Sequence, residues 1–202
     1  MPSLKIENIH TDHIGSFSFE IKAGECVCLS GPSGVGKSLL LRALADLDPH
    51  QGQMMIDAQS SETMPASVWR KRVGLLPAQS AWWADKVADH FISANNIAYK
   101  QLGFSLEVEN WSVDRLSSGE KQRLAILRLL SNQPEILLLD EPTANLDPES
   151  ISKVEDLVKD YQQQHQAAVL WVSHDAKQVD RIADKHWQMS DAKNIQELPV
   201  CS

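Results

Sequence analysis

Near the start of the chain, "LKIENIH" and "SFSFEI" alternate apolar and polar residues, the period-two pattern of strands with one buried face. Further along, the alternation gives way to short unbroken apolar runs, "CVCLS", "RVGLLPA", "EILLLDEP" and "AAVLWVSHD", and "GQMMID" is a further strand. Unbroken runs fit strands covered on both faces, the situation of a parallel sheet. Between them the spacing becomes helical in "SLLLRALADL", "KVADHFISANNIAYKQLG" (86–103), the segment opened by "SSGEKQR", "PESISKVEDLVKDYQQQHQ" and the short "AKQVDRIAD". A weak last strand is expected around Trp187, and the helix from 148 is capped near Asp147. Strands alternating with helices predict an α/β fold built on a mainly parallel sheet, with the first two strands as an antiparallel flank. The rhythm breaks between 79 and 132. A helical subdomain of about 80–132 inserted into the sheet, within one domain spanning 1–202, accounts for the break.

Composition adds exclusions. A chain of 202 residues with 43% hydrophobic and 23% charged residues suffices for one substantial core. No window approaches the ~18–20 apolar residues of a membrane-spanning helix. The start, "MPSLKIENIHTDH", lacks the basic stretch and apolar run of a secretory signal. The expectation is a cytoplasmic chain that touches a membrane only through a partner. A net charge of −8 argues against nucleic acid as ligand, because phosphate neutralisation needs clustered cations. Of the three cysteines, Cys26 and Cys28 share one face of a strand and read as small buried side chains, not as a metal or redox pair.

The chemistry begins at Gly31, Pro32, Ser33, Gly34, Val35, Gly36, Lys37 and Ser38, which match G-x-x-x-x-G-K-[ST] between a strand and a helix. Glycines let successive N–H groups turn toward phosphate oxygens, and the helix start adds partial positive charge. In such a loop Lys37 reaches the β- and γ-phosphates and the Ser38 hydroxyl ligates Mg²⁺. This is the phosphate loop of a P-loop nucleoside triphosphatase. Asp140 ends an apolar strand, where a parallel sheet presents its ligand edge, and can hold Mg²⁺ through water. Glu141, the next residue, can orient or deprotonate an attacking water. His174 ends another buried strand and can donate to the γ-phosphate.

A second phosphate-cradling helix start, "RLSSGEKQR", follows at 115–123. The order "GPSGVGKS", "LSSGEKQR", "ILLLDEP", "ANLD" and "VSHD" resembles the ATP-binding-cassette (ABC) ATPases over nearly the whole chain. The resemblance implies that two such domains face each other head to tail. Each signature helix, here opened by Ser117 and Gly119, then contacts ATP held by the other domain's loop. It also implies that Asp147 belongs to the loop crossing that interface, that ATP and Mg²⁺ are bound, and that a separate transmembrane permease subunit is driven. The cassette pairs with itself or a homologous ATPase. A soluble ABC ATPase working outside transport, for example in cofactor assembly, is the alternative, and a short chain of this kind resembles ATPase subunits of small bacterial exporters, iron exporters among them.

Departures from the family pattern are visible. Ser118 and Glu120 stand where it has glycine and glutamine, and the Glu120 carboxylate must turn away or pair with Lys121 or Arg123 to avoid a shared triphosphate. Leu39 replaces a hydroxyl residue after Ser38, removing a hydrogen bond worth about 0.5–1.5 kcal/mol. The metal-sensing glutamine falls on Gln79, one residue later than usual, and the aromatic that stacks on adenine is missing, with His10 and His13 nearest. Of the adjacent Trp82 and Trp83, one is expected in the core and the other exposed as an anchor for the membrane partner.

Overall fold

The structure, a computed structural model, describes residues 2–91 and 96–200. Among the described residues ten strands form two sheets. The first, antiparallel, has the order β2-β1-β4-β5, from β1 (Leu4–His10), β2 (Phe17–Ile21), β4 (Gln51–Ile56) and β5 (Gln59–Ser60). The second has the order β10-β9-β3-β8-β7-β6, from β3 (Cys26–Ser30), β6 (Val73–Leu76), β7 (Ile136–Asp140), β8 (Ala168–Val172), β9 (Lys185–Asp191) and β10 (Asn194–Leu198). All its pairings are parallel except the β9/β10 hairpin. The helices are α1 (Lys37–Leu44), α2 (Ala66–Arg72), α3 (Asn96–Gln101), α4 (Ser118–Ser131), α5 (Pro148–His165) and α6 (Ala176–Ile182).

The apolar runs are explained by what covers them. Val27, Leu29, Leu138, Leu170 and Val172 pack toward the antiparallel sheet and α1, against Leu4, Ile21, Leu40, Leu44 and Met54. Cys26, Cys28, Leu137, Leu139, Val169 and Trp171 point the other way, into a core shared with Leu124 and Leu127 of α4 and Val154 and Val158 of α5. Each fully buried Leu or Val side chain adds about 1.5–3 kcal/mol relative to exposure. Cys26 and Cys28 are buried and unbridged, as small apolar side chains of that face.

Register positions the site. Val172 stands opposite both Leu29 of β3 and Asp140 of β7, so three neighbouring parallel strands end level with one another. The phosphate loop, His174 and Asp140 therefore leave the same edge of the sheet.

One expectation is corrected, one is borne out, and two further elements appear. The 86–103 segment is not one helix among the described residues: Lys86 bridges to Ser112, Val87 N–H donates to the Trp111 carbonyl, a single 3₁₀ turn follows at Ala88–His90, and α3 starts only at Asn96. Residues 92–95 of it lie outside the described set. The weak final strand is β9, paired along β3 and followed by β10, which the sequence reading did not anticipate. Helix α2 was also unanticipated; its Trp69 is buried and donates Nε1–H to the Leu44 carbonyl, joining it to α1.

Candidate active site

After Ser30 the chain folds into a loop that only glycine permits at two points. Gly31 has φ 147°, and a Cβ there would meet the Met189 carbonyl oxygen at 2.3 Å. Gly36, at φ 114°, caps α1, and a Cβ would meet Ile14 Cγ2 at 2.7 Å. Lys37 Nζ donates to the Gly31 and Pro32 carbonyls at 2.8 and 2.9 Å, closing the loop on itself. Burial lowers the Lys37 pKa, while the charges of Glu141 and Asp140 oppose that shift. Val35 packs on the core beside the antiparallel sheet. Ser33, Gly34, Gly36, Lys37, Ser38 and Leu39 face a cavity of about 270 Å³ whose other wall is Glu141 and His174. The N–H groups of the first α1 turn have no helical acceptor, which suits this end of the helix to an anion.

Glu141 adopts φ 50°, the left-handed region that costs a non-glycine residue strain and recurs at functional positions. The turn swings its carboxylate off the strand axis, and Oε1 lies 2.9 Å from His174 Nε2. Asp140, directly before it, is buried and accepts hydrogen bonds from the Ser38 hydroxyl and the Ala78 N–H. Burial raises its pKa above the ordinary 3.8, against the lowering effect of Ser38. A hydroxyl and one carboxylate suit Mg²⁺, which uses few protein ligands and completes its shell with phosphate oxygens and water. Among the described residues no group of three or more His, Cys, Asp or Glu is placed to hold a metal.

A pH signature follows. A raised folded pKa means that ionising Asp140 is costlier in the folded chain, so the penalty exists above the folded pKa and disappears below 3.8. Asp140→Asn should melt higher than wild type without nucleotide at pH 7–8, with the difference vanishing near pH 3.5. Calorimetry across pH measures this; a lower melting temperature at pH 7–8 contradicts it.

The other expected site residues lie off this cavity. Gln79 is exposed, and the backbone of Ala78, not the Gln79 side chain, reaches Asp140. Ser117 N-caps α4 in a reciprocal box: its Oγ accepts the Glu120 N–H at 3.2 Å, and Glu120 Oε2 accepts the Ser117 N–H and Oγ–H, each at 2.8 Å. Glu120 thus turns back onto Ser117, not onto Lys121 or Arg123, and those bonds hold its pKa below the ordinary carboxylate range. A Cβ on Gly119 would stand 3.2 Å from Leu146 Cδ2, and Asp147 N-caps α5 by accepting the Ser150 N–H at 3.0 Å. The 141–147 loop and the signature helix therefore meet within one protomer. Sequence reasoning missed the Ala78 contact, the Ser30–His186 hydrogen bond of 2.8 Å behind the loop, and a buried set formed by Thr143, Ser173 and Gln178. None of these carries a motif.

A phosphate loop leaving a parallel sheet at β3, with a histidine after the adjacent β8 and two acids at the end of β7 one strand further on, defines a P-loop nucleoside triphosphatase. The sequence model of the ABC transporter family fits residues 14–144. The chain is 30% identical to the probable iron export ATP-binding protein FetA of Escherichia coli (strain K12), over 91% of this chain and 89% of that protein. It is 34% identical to the aliphatic sulfonates import ATP-binding protein SsuB 2 of Paracoccus denitrificans (strain Pd 1222), over 93% and 75%. Its fold superposes on the ATP-binding cassette MJ0796, solved as a dimer bound to ADP and Pi, with TM-score 0.84 at 24% identity over 98% and 99% of the two chains. The chain belongs to the ABC transporter family, as one of its ATP-binding, ATP-hydrolysing subunits.

Proposed function

We propose that the chain binds ATP with Mg²⁺ between its own phosphate loop and the α4 start of a second copy or a homologue, hydrolyses it with Glu141 and His174, and drives a membrane-spanning partner on the cytoplasmic face of a membrane. The observation that carries this reading is the Glu141–His174 contact of 2.9 Å on one wall of a cavity whose other wall is the phosphate loop. Lys37 and the α1 N–H groups hold the β- and γ-phosphates. Ser38 and Asp140 hold the metal, with Gln79 completing its sensing from the exposed loop. Bound Mg²⁺ neutralises charge on the phosphate oxygens. Glu141 takes the proton of the attacking water, and His174 fixes the carboxylate's direction. Ser117, Gly119 and Asp147, which do not line this cavity, would supply its second wall in trans.

Transmission to the partner rests on residues 80–132, which we read as the inserted helical subdomain. No described helix is long and apolar enough to cross a membrane. Trp83 is 70% exposed. Its ring lies 4.6 Å from the buried His90, whose opposite neighbour is Trp82 at 4.7 Å, and Arg128 covers both indoles at 4.8 Å. His90 Nε2 accepts the N–H groups of Trp83 and Ala84, and Nδ1 bonds the Lys86 carbonyl, so the loop is rigid. Trp82 packs on the core, as expected, though the pair sits in an irregular segment and not on a helix.

A rigid, exposed indole is an interface anchor whose truncation typically costs about 2 kcal/mol, roughly thirtyfold in Kd. Trp83→Ala should weaken capture of the membrane subunit purified from the same cells by that factor while leaving the isolated chain's hydrolysis unchanged. Undiminished capture removes Trp83 from the interface. The relatives named above export iron or import sulfonates, so we assign cargo and direction to the partner.

A further inference from the structure

We infer that Gln178 is a positioning residue for ATP hydrolysis, a buried amide that fixes the relative placement of the two loops presenting Glu141 and His174. This rests on the catalytic reading of those two residues given above. Gln178 lies on α6 and is 3% exposed. Its Nε2 donates to Thr143 Oγ1 at 2.9 Å and to Glu155 Oε1 at 2.8 Å. Its Oε1 accepts from Ser173 Oγ at 2.8 Å and from Thr143 Oγ1 at 3.2 Å.

Both loop partners stand beside the reacting groups. Thr143 lies inside the turn closed by the Ala144 N–H to the Glu141 carbonyl, 3.1 Å. Ser173 precedes His174, and its Oγ also accepts the Asp175 N–H at 3.1 Å, so the hydroxyl sets the turn in which the histidine sits. The anchor is outside the site: Glu155 of α5 is held by Arg181 through Nε at 3.0 Å and Nη2 at 2.7 Å. The chain of contacts runs from α5 through Glu155 to Gln178, and from there divides to the two loops whose side chains meet at 2.9 Å.

An amide is required at this point. The Ser173 hydroxyl needs an acceptor while the Glu155 carboxylate and the Thr143 oxygen take donors, and among buried uncharged side chains of this length glutamine supplies both. Glutamate would set a second carboxylate against Glu155, and leucine would remove the bonds that tie Thr143 and Ser173 to α6, leaving Glu155 with Arg181 alone. A tilt of either loop changes where the Glu141 carboxylate and the imidazole stand relative to the γ-phosphate, and misplacement of about 1 Å can cost on the order of 10²-fold in turnover.

The test is steady-state ATP hydrolysis by the full-length chain with Gln178→Leu, Gln178→Glu, the double exchange Glu155→Gln with Gln178→Glu, and Val179→Ala. Val179 is a buried core residue of the same helix and serves as the stability-matched control. Gln178→Leu and Gln178→Glu should lower kcat by about 10- to 100-fold with the KM for ATP within about twofold. The double exchange, which restores a donor–acceptor pair across the α5–α6 contact, should recover most of the lost kcat. Val179→Ala should lower the melting temperature without moving kcat. Equal loss of kcat in Val179→Ala and Gln178→Leu, or wild-type kcat in Gln178→Leu, overturns the proposal and leaves the catalytic reading intact. Wild-type hydrolysis by Glu141→Gln overturns that reading and the proposal with it.

Discussion

Glu141→Gln is expected to bind ATP as tightly as the wild-type chain and to hydrolyse it about 10²–10⁴-fold more slowly, the range lost with a general base. The substitution keeps the side chain's length and its place beside His174, 2.9 Å away, so the wall of the phosphate cavity is preserved. What it removes is the acceptor for the water's proton. ATP that is not consumed continues to join two protomers, and linkage then favours the bound dimer. Gel filtration of the variant with ATP and without Mg²⁺ should therefore show a dimer, and without nucleotide a monomer. A persistent monomer at saturating ATP counts against the shared site.

Lys37→Ala acts at binding. Lys37 is a buried residue whose ammonium is already directed at the loop, held by the Gly31 and Pro32 carbonyls at 2.8 and 2.9 Å. It is the cation closest to where the β- and γ-phosphates would lie. Charge-assisted hydrogen bonds are worth about 1.5–3 kcal/mol each, so losing the side chain should weaken ATP by roughly 10- to 100-fold. Removal also leaves two loop carbonyls without a donor, so the variant's melting temperature is measured alongside. Titration with a fluorescent ATP analogue reads the affinity; an unchanged Kd would place the phosphates elsewhere.

Much of this was legible before any coordinates, for identifiable reasons. Strands β3, β7 and β8 are buried on both faces, so their sequences are unbroken apolar runs with little competition from other readings. The phosphate loop and the acid pair are contiguous in sequence, so their chemistry is visible in a single window. Residues that work by juxtaposition are not. Thr143, Ser173 and Gln178 come from three segments, and their hydrogen bonds exist only once α6 lies across the ends of β7 and β8. The 86–103 segment misled because Val87 and Tyr99 are indeed buried, but Val87 gets there through a bridge and its neighbours through a 3₁₀ turn. Tertiary pairing with 111–113 overrode a weak helical preference. Strand β10 was missed because an edge strand exposed along much of its length has no core face to impose a pattern.

The Glu120 result bears on the second copy. In the isolated protomer the Ser117 hydroxyl proton is given to Glu120, so a γ-phosphate from another protomer must compete with a carboxylate for that hydrogen. In the shared site proposed above, pairing would turn the Ser117 hydroxyl proton from Glu120 to the γ-phosphate, while Oγ can go on accepting the Glu120 N–H.

A mixing experiment tests trans sharing most directly. Lys37→Ala abolishes one protomer's own loop, and Ser117→Arg abolishes the face it offers to its neighbour. Each variant alone forms no intact site in a head-to-tail dimer, but a mixed dimer keeps one: the Ser117→Arg protomer's loop against the Lys37→Ala protomer's α4 start. The account predicts that equal mixing of the two inactive proteins restores hydrolysis toward roughly a quarter of the wild-type level, the statistical share of intact sites in a two-fold assembly. A mixture as inactive as its components, while each variant still forms dimers with wild-type chain, would contradict it.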